Sequence, residues 1–222
     1  MTKAEVKAQI ESLGIIPGVR VAKPEQARLA AEMLARAGIP VAEITMTVPG
    51  AIHVISQLAK SHPAMVTGAG TVLDVETAIR CVDAGAKFIT SPGLIPEVVE
   101  FALKNDIVVF PGALTPTEVI NAWKTGADYV KIFPCAPVGG AAYIKSLKVP
   151  LPQIPLIASG GVNQATATGF MAAGATALGL GAELIPHQAL ELHQEDRIHE
   201  LARRFLAMVK EGRAQHALVN GN

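Results

Sequence analysis

Four tetrapeptides recur along this chain: AGIP at 37–40, AGAK at 84–87, TGAD at 125–128 and AGAT at 173–176, each closing an amphipathic stretch and opening an apolar one. Glycine just past a helix takes the left-handed conformation without a Cβ penalty, so Gly38, Gly85, Gly126 and Gly174 read as helix stops before strands. They lie 47, 41 and 48 residues apart. Each interval is roughly two strand–loop–helix units, so every second unit carries the mark and about eight units fit the chain.

Short apolar runs rich in Val, Ile or Phe predict strands near 15–21, 42–46, 65–69, 87–90, 107–110, 129–133, 155–159 and 177–180. Helices are expected between them near 24–37, 50–60, 74–84, 95–104, 116–125, 140–147, 163–173 and 195–210. A further helix at 3–13 follows from the capping-box spacing of Thr2 and Glu5. Strict alternation with crossover helices implies a parallel sheet, and eight units imply an α/β fold of the (β/α)8 TIM-barrel type with an extra N-terminal helix, one domain over 1–222. An open doubly wound sheet would carry a phosphate-loop fingerprint after its first strand, which this sequence lacks.

Half the residues are hydrophobic and 17% charged, which excludes disorder and suits strands buried on both faces. Nineteen basic residues balance nineteen acidic ones with no dense basic run, so a small molecule is expected as partner rather than nucleic acid or a membrane surface. Cys81 and Cys135 are too few for a disulfide framework, and no Cys or His cluster has zinc-ligand spacing, so no metal or other cofactor is expected. The N-terminus has no continuous apolar segment of the signal-peptide kind, and no run approaches membrane-span length. A soluble, cytoplasmic protein is the expectation.

In such a barrel the residues that close each strand face the active site. Here they are Arg20; Glu43, Thr45 and Thr47; GAGT at 68–71; TSPG at 90–93; FPGALTPTE at 110–118; Lys131 and Phe133; ASGGVN at 158–163; and GLGAE at 179–183. Lys131 stands between Tyr129, Val130, Ile132 and Phe133. Desolvation of an amine disfavours its ammonium form and leaves a nucleophile of the kind Schiff-base chemistry needs. Glu43, in the apolar run VAEITM, is a candidate proton shuttle. Period-two alternation turns Glu43, Thr45 and Thr47 to one face and Tyr129, Lys131 and Phe133 to one face, both inward. A lysine snorkelling to the rim and a plain buried ion pair are the bland alternatives.

Gly160 and Gly161 offer backbone N–H groups at the start of an expected helix, where an anion such as phosphate is favoured; a plain tight turn is the alternative. Cys135 follows Pro134 and has no histidine tied to it by a local signature, so it does not read as a nucleophile. The histidines at 53, 62, 187, 193, 199 and 216 fall mostly in helical or terminal segments and read as surface or interface residues. Trp123 and Phe101 lie on helical stretches and read as core or subunit contacts.

The ordered series VAEITMTVP, GAGTVL, TSPGL, PGALTPTE, YVKIFP and ASGGV resembles the 2-keto-3-deoxy-6-phosphogluconate (KDPG) and 4-hydroxy-2-oxoglutarate aldolases over essentially the whole chain. The resemblance implies a homotrimeric class I lyase that cleaves a 2-keto-3-deoxy sugar acid, usually its 6-phosphate, to pyruvate and an aldehyde such as glyceraldehyde 3-phosphate. Relatives act on the galacto epimer or on 4-hydroxy-2-oxoglutarate. It further implies Lys131 as Schiff-base lysine and Glu43 as general acid/base. Thr71 and Pro92 would line the pyruvate subsite, and Phe133 would pack beside the imine. Thr47 stands where one branch has an arginine for the substrate carboxylate, so it is left as an uncharged contact; Arg20 matches an arginine that other relatives carry late in strand one and is expected to bind the anion. Ala182 replaces a serine common in relatives, and Glu183 beside it would oppose a dianionic phosphate unless it points away.

Overall fold

Thr2 and Glu5 cap each other across the first turn, with Thr2 N–H donating to Glu5 Oε2 at 2.7 Å and Glu5 N–H to Thr2 Oγ1 at 3.3 Å. They open α1 (Lys3–Leu13) in the computed structural model, which describes residues 1–219. The chain then alternates through β1 (Ile15–Val19), α2 (Pro24–Arg36), β2 (Val41–Thr45), α3 (Ala51–Ser61), β3 (Val66–Gly70), α4 (Val75–Asp83), β4 (Phe88–Thr90) and α5 (Pro96–Lys104). It continues through β5 (Val108–Phe110), β6 (Gly112–Ala113), α6 (Pro116–Lys124), β7 (Val130–Ile132), α7 (Gly140–Lys148), β8 (Leu156–Ser159), α8 (Ala167–Ala172), β9 (Ala177–Leu180), α9 (His187–Glu191) and α10 (Glu195–Val219). Gly38, Gly85, Gly126 and Gly174 all have positive φ, between 88° and 104°, and each ends a helix as its spacing predicts.

The strand order is β5-β4-β3-β2-β1-β9-β8-β7-β6, every pair parallel. Nine strands occupy eight barrel positions, because the fifth is divided at Pro111, which has no N–H to give a ladder. Its first half pairs with β4 and its second with β7. The ring closes across the break: Asp128 N–H donates to Val109 O at 3.0 Å and Lys131 N–H to Pro111 O at 2.9 Å.

Two apolar clusters hold this ring. The larger lies between the sheet and the outer helices. The smaller fills the lower barrel with alternate strand residues, among them Val41, Phe88, Phe110, Tyr129 and Ile157, and α1 seals it from below with Val6 and Ile10. Phe110 stacks on Phe88 at 5.2 Å and meets the edge of Tyr129 at 6.1 Å. The Tyr129 hydroxyl donates to Glu11 Oε1 at 2.6 Å, while Lys3 and Lys7 pair with Asp128 at 2.9 and 3.4 Å. The helical plug is therefore bolted to the residues just before Lys131.

Two helix boundaries differ clearly from expectation, and β1 ends at Val19 rather than at 21. Asn163 Oδ1 accepts from the N–H groups of Ala165 and Thr166, building a separate turn, so α8 starts at Ala167 rather than 163. Helix α10 runs nine residues past 210, because Gly212 does not stop it but lets it press on α8: a Cβ there would lie 2.5 Å from Thr168 O. A short 3₁₀ turn (Ala136–Val138) and α9 are additions to the expected elements.

Candidate active site

Parallel pairing fixes what faces the barrel mouth. Register sets Glu43 opposite Gly68 on β3 and Gly18 on β1, and Lys131 opposite Ile157 on β8. With Val41 and Tyr129 in the floor cluster, alternation lifts Glu43 and Lys131 into the layer above it. Their side chains are 8% and 12% exposed, and Lys131 Nζ lies 3.8 Å from Glu43 Oε2. That separation exceeds a hydrogen bond, so both polar ends are left to face a ligand. The amine also sits over the Phe133 ring, 5.6 Å from its centroid.

These groups open into a cavity of about 580 Å³ at the C-terminal ends of the strands. Besides Lys131, Glu43 and Phe133, the residues expected from sequence that line it are Arg20, Thr71, Pro92, Gly160 and Gly161. Thr71 holds φ at 60°, an uncommon conformation for a β-branched residue, at the point where β3 meets the cavity. Gly160 and Gly161 have φ of 85° and 87°, and a Cβ on Gly160 would press on Pro134 and Phe133 at 2.9 and 3.1 Å. Those glycines let the β8 turn close against the strand bearing the lysine.

Thr47 is a correction. Strand β2 ends at Thr45, alternation stops there, and Thr47 is exposed and lies off the cavity wall. Its hydroxyl is 2.7 Å from that of Thr45, which donates to Val19 O at 3.1 Å and lines the cavity in its place. The helix expected behind the Gly160–Gly161 pair is a second correction, since α8 begins six residues later and has only six residues. A third concerns His187: it opens α9 and lines the cavity, where the sequence reading left it as a surface or interface residue. Ser159, Glu183 and Ile185 also line the wall. Ser159 was legible by alternation from Ile157, whereas the loop that carries His187 back over the mouth has no local signal.

Cys135 is a structural fastener. Its N–H donates to Ser159 O at 2.9 Å and its thiol to Gly160 O at 3.4 Å, and burial pushes that thiol up to about 11. It is no ready nucleophile. Among the described residues no group of three His, Cys, Asp or Glu side chains could hold a metal ion, and no helix is long and apolar enough to cross a membrane.

A parallel barrel plugged at its floor, with an amine and a carboxylate facing each other under an open mouth, defines an enzyme of the nucleophilic-lysine class. The family described as KDPG and KHG aldolase matches residues 6–201. The KHG/KDPG aldolase of Escherichia coli is 32% identical over 189 residues, 85% of this chain and 89% of the relative. A crystal structure of KDPG aldolase from Legionella pneumophila, with pyruvate captured as a covalent carbinolamine intermediate, superposes with a TM-score of 0.82 at 29% identity, covering 89% of this chain and 96% of that one. A cube-shaped protein cage designed by fusing symmetric oligomeric domains contains the same fold, with a TM-score of 0.81 at 28% identity over 93% of this chain and 76% of that one. The chain belongs to the KDPG and KHG aldolase family. It is an aldolase, and hence a lyase.

Proposed function

We propose that the protein cleaves 2-keto-3-deoxy-6-phosphogluconate, or a close analogue with the same 2-keto, 3-deoxy, 4-hydroxy head, to pyruvate and an aldehyde through a Schiff base on Lys131. The observation that carries this is the 3.8 Å approach of Lys131 to Glu43 inside the cavity. The carbinolamine captured with pyruvate in the Legionella structure supports the first step.

The Lys131 amine adds to the C2 ketone, and the carbinolamine loses water to give a protonated imine. Glu43 takes the proton of the C4 hydroxyl as the C3–C4 electron pair moves into the imine, and the aldehyde departs. Glu43 then returns that proton to C3 of the enamine, and hydrolysis frees pyruvate and the amine. Thr71 and Pro92 hold the C1 carboxylate, Phe133 keeps the imine dry, and Arg20 with the Gly160 and Gly161 amides faces the remainder of the substrate. Each role is a proposal supported by position on the cavity wall.

A homotrimer in a reducing, cytoplasmic compartment completes the reading. It is supported by two buried free cysteines and by exposed Leu73 and Ile79, 55% and 42% accessible, which offer apolar surface for a neighbouring copy. Light scattering of the purified protein gives the stoichiometry directly.

Borohydride reduction with pyruvate tests the chemistry. The expected product is a stable adduct on the peptide containing Lys131. Reduction that leaves this peptide unmodified while the enzyme turns over would refute the mechanism.

A further inference from the structure

Glu43 on β2 and Lys131 on β7 divide the rim of the barrel into two arcs. Going through β3 and β4, the wall of the cavity is Thr71 and Pro92. Along that arc a Cβ on Gly112 would meet the Pro92 backbone, and a separate space of about 330 Å³, lined by Gly112, Leu114 and Glu118, lies beyond Pro92. Going the other way, through β1, β9 and β8, the wall is long and includes Arg20, Ser159, Gly160, Gly161, Glu183 and His187. A carboxylate fits the short arc, and a tail of several carbons needs the long one.

The charge of the long arc is balanced before any ligand arrives. Its fixed charges are the Arg20 guanidinium and the Glu183 carboxylate, and neither belongs to an ion pair among the described residues. Ala182 brings no hydroxyl, and the Gly160–Gly161 turn has no helix dipole directly behind it. A dianionic phosphate would leave this arc with uncompensated negative charge beside a carboxylate. A chain of hydroxyls would meet two acceptor oxygens on Glu183, the donor fork of Arg20 and an imidazole that can do either.

We propose that Glu183 and Arg20 form a hydroxyl-reading tail subsite, and that the favoured substrate is an unphosphorylated 2-keto-3-deoxy aldonic acid released as pyruvate and an uncharged hydroxyaldehyde. This rests on the Schiff-base aldolase reading above and specifies its tail. Glu183 is the specificity-determining residue, because it is the one carboxylate the tail meets beyond Glu43.

The test compares kcat/KM for 2-keto-3-deoxygluconate, its 6-phosphate and 4-hydroxy-2-oxoglutarate in the wild type, Glu183→Gln and Glu183→Ala. The wild type is expected to favour the unphosphorylated sugar acid over both anionic tails. Glu183→Gln keeps the size and removes the charge, and should shift the ratio toward the phosphate by about tenfold or more. A wild type that prefers the phosphate or the dicarboxylate overturns the inference. So does a ratio moved by Glu183→Ala but not by Glu183→Gln, which would make the effect steric. Failure of borohydride to trap pyruvate on Lys131 would instead remove the aldolase reading beneath it.

Discussion

Gly70 stands where any side chain would collide with the Glu43 carboxyl group: a Cβ there would lie 2.6 Å from Glu43 Cδ, and closer still to Oε1. The two share neighbouring strands, with Thr45 directly paired to Gly70. Space, not backbone conformation, is what glycine supplies. Gly70→Ala should therefore push the carboxylate out of reach of Lys131 and lower kcat about a hundredfold. Circular dichroism should show the barrel intact. Near wild-type turnover in a folded Gly70→Ala would mean that the placement of Glu43 does not matter.

Lys131→Met should abolish retro-aldol turnover and the borohydride adduct together, since the amine is consumed and regenerated in every cycle. Glu43→Gln should lower kcat by about 10²–10⁴. Pre-treatment with EDTA should leave the wild-type rate unchanged, because each proposed step uses only protein groups and water. Measured in one pyruvate-coupled assay, these results separate nucleophile from proton carrier.

Arg20→Ala should raise KM for the sugar acid by about tenfold while changing kcat less, as expected where a charged hydrogen-bond donor binds the ground and transition states alike. Arg20→Lys should restore only part of that loss, because an ammonium cannot reproduce the planar fork. A wild-type KM in Arg20→Ala would show that this exposed residue of the cavity wall does not hold the substrate.

Burial raises the Cys81 and Cys135 thiols from 9.0 to about 11, and burial together with the Glu11 hydrogen bond raises the Tyr129 phenol. In each case the folded state holds the proton more tightly than the unfolded one. The resulting stabilisation is whole below the unfolded values and is lost as pH rises through them toward the folded ones. The urea midpoint should hold steady to about pH 8 and fall as the thiols pass from about 9 to about 11. At neutral pH neither thiol should react with a disulfide reagent until urea unfolds the barrel.

The barrel was readable because strands buried on both faces are short uniform apolar runs, and because four helix ends are written in glycine. Lys131 and Glu43 were readable as charges out of place in such runs. What alternation could not say is where a strand stops: β2 ends at Thr45, and Thr47 leaves the face it would have shared. The reach of α10 beyond 210 was not legible either, since Gly212 sits inside the helix as a contact whose meaning depends on α8 lying against it. Gly160 and Gly161 looked like a helix start, but Asn163 makes a turn of its own first. His187 reaches the cavity through a loop that folds back after β9, a relationship no local pattern carries.

Helix α1 stoppers the barrel from below with Val6 and Ile10. Passage through the floor is thus shut off, and the mouth serves the sugar acid, the departing aldehyde, the hydrolytic water and pyruvate in turn. An aldehyde standing in that mouth shields the tethered three-carbon fragment from bulk water. The covalent tether and this shared exit together fix the order of departure, aldehyde first and pyruvate last.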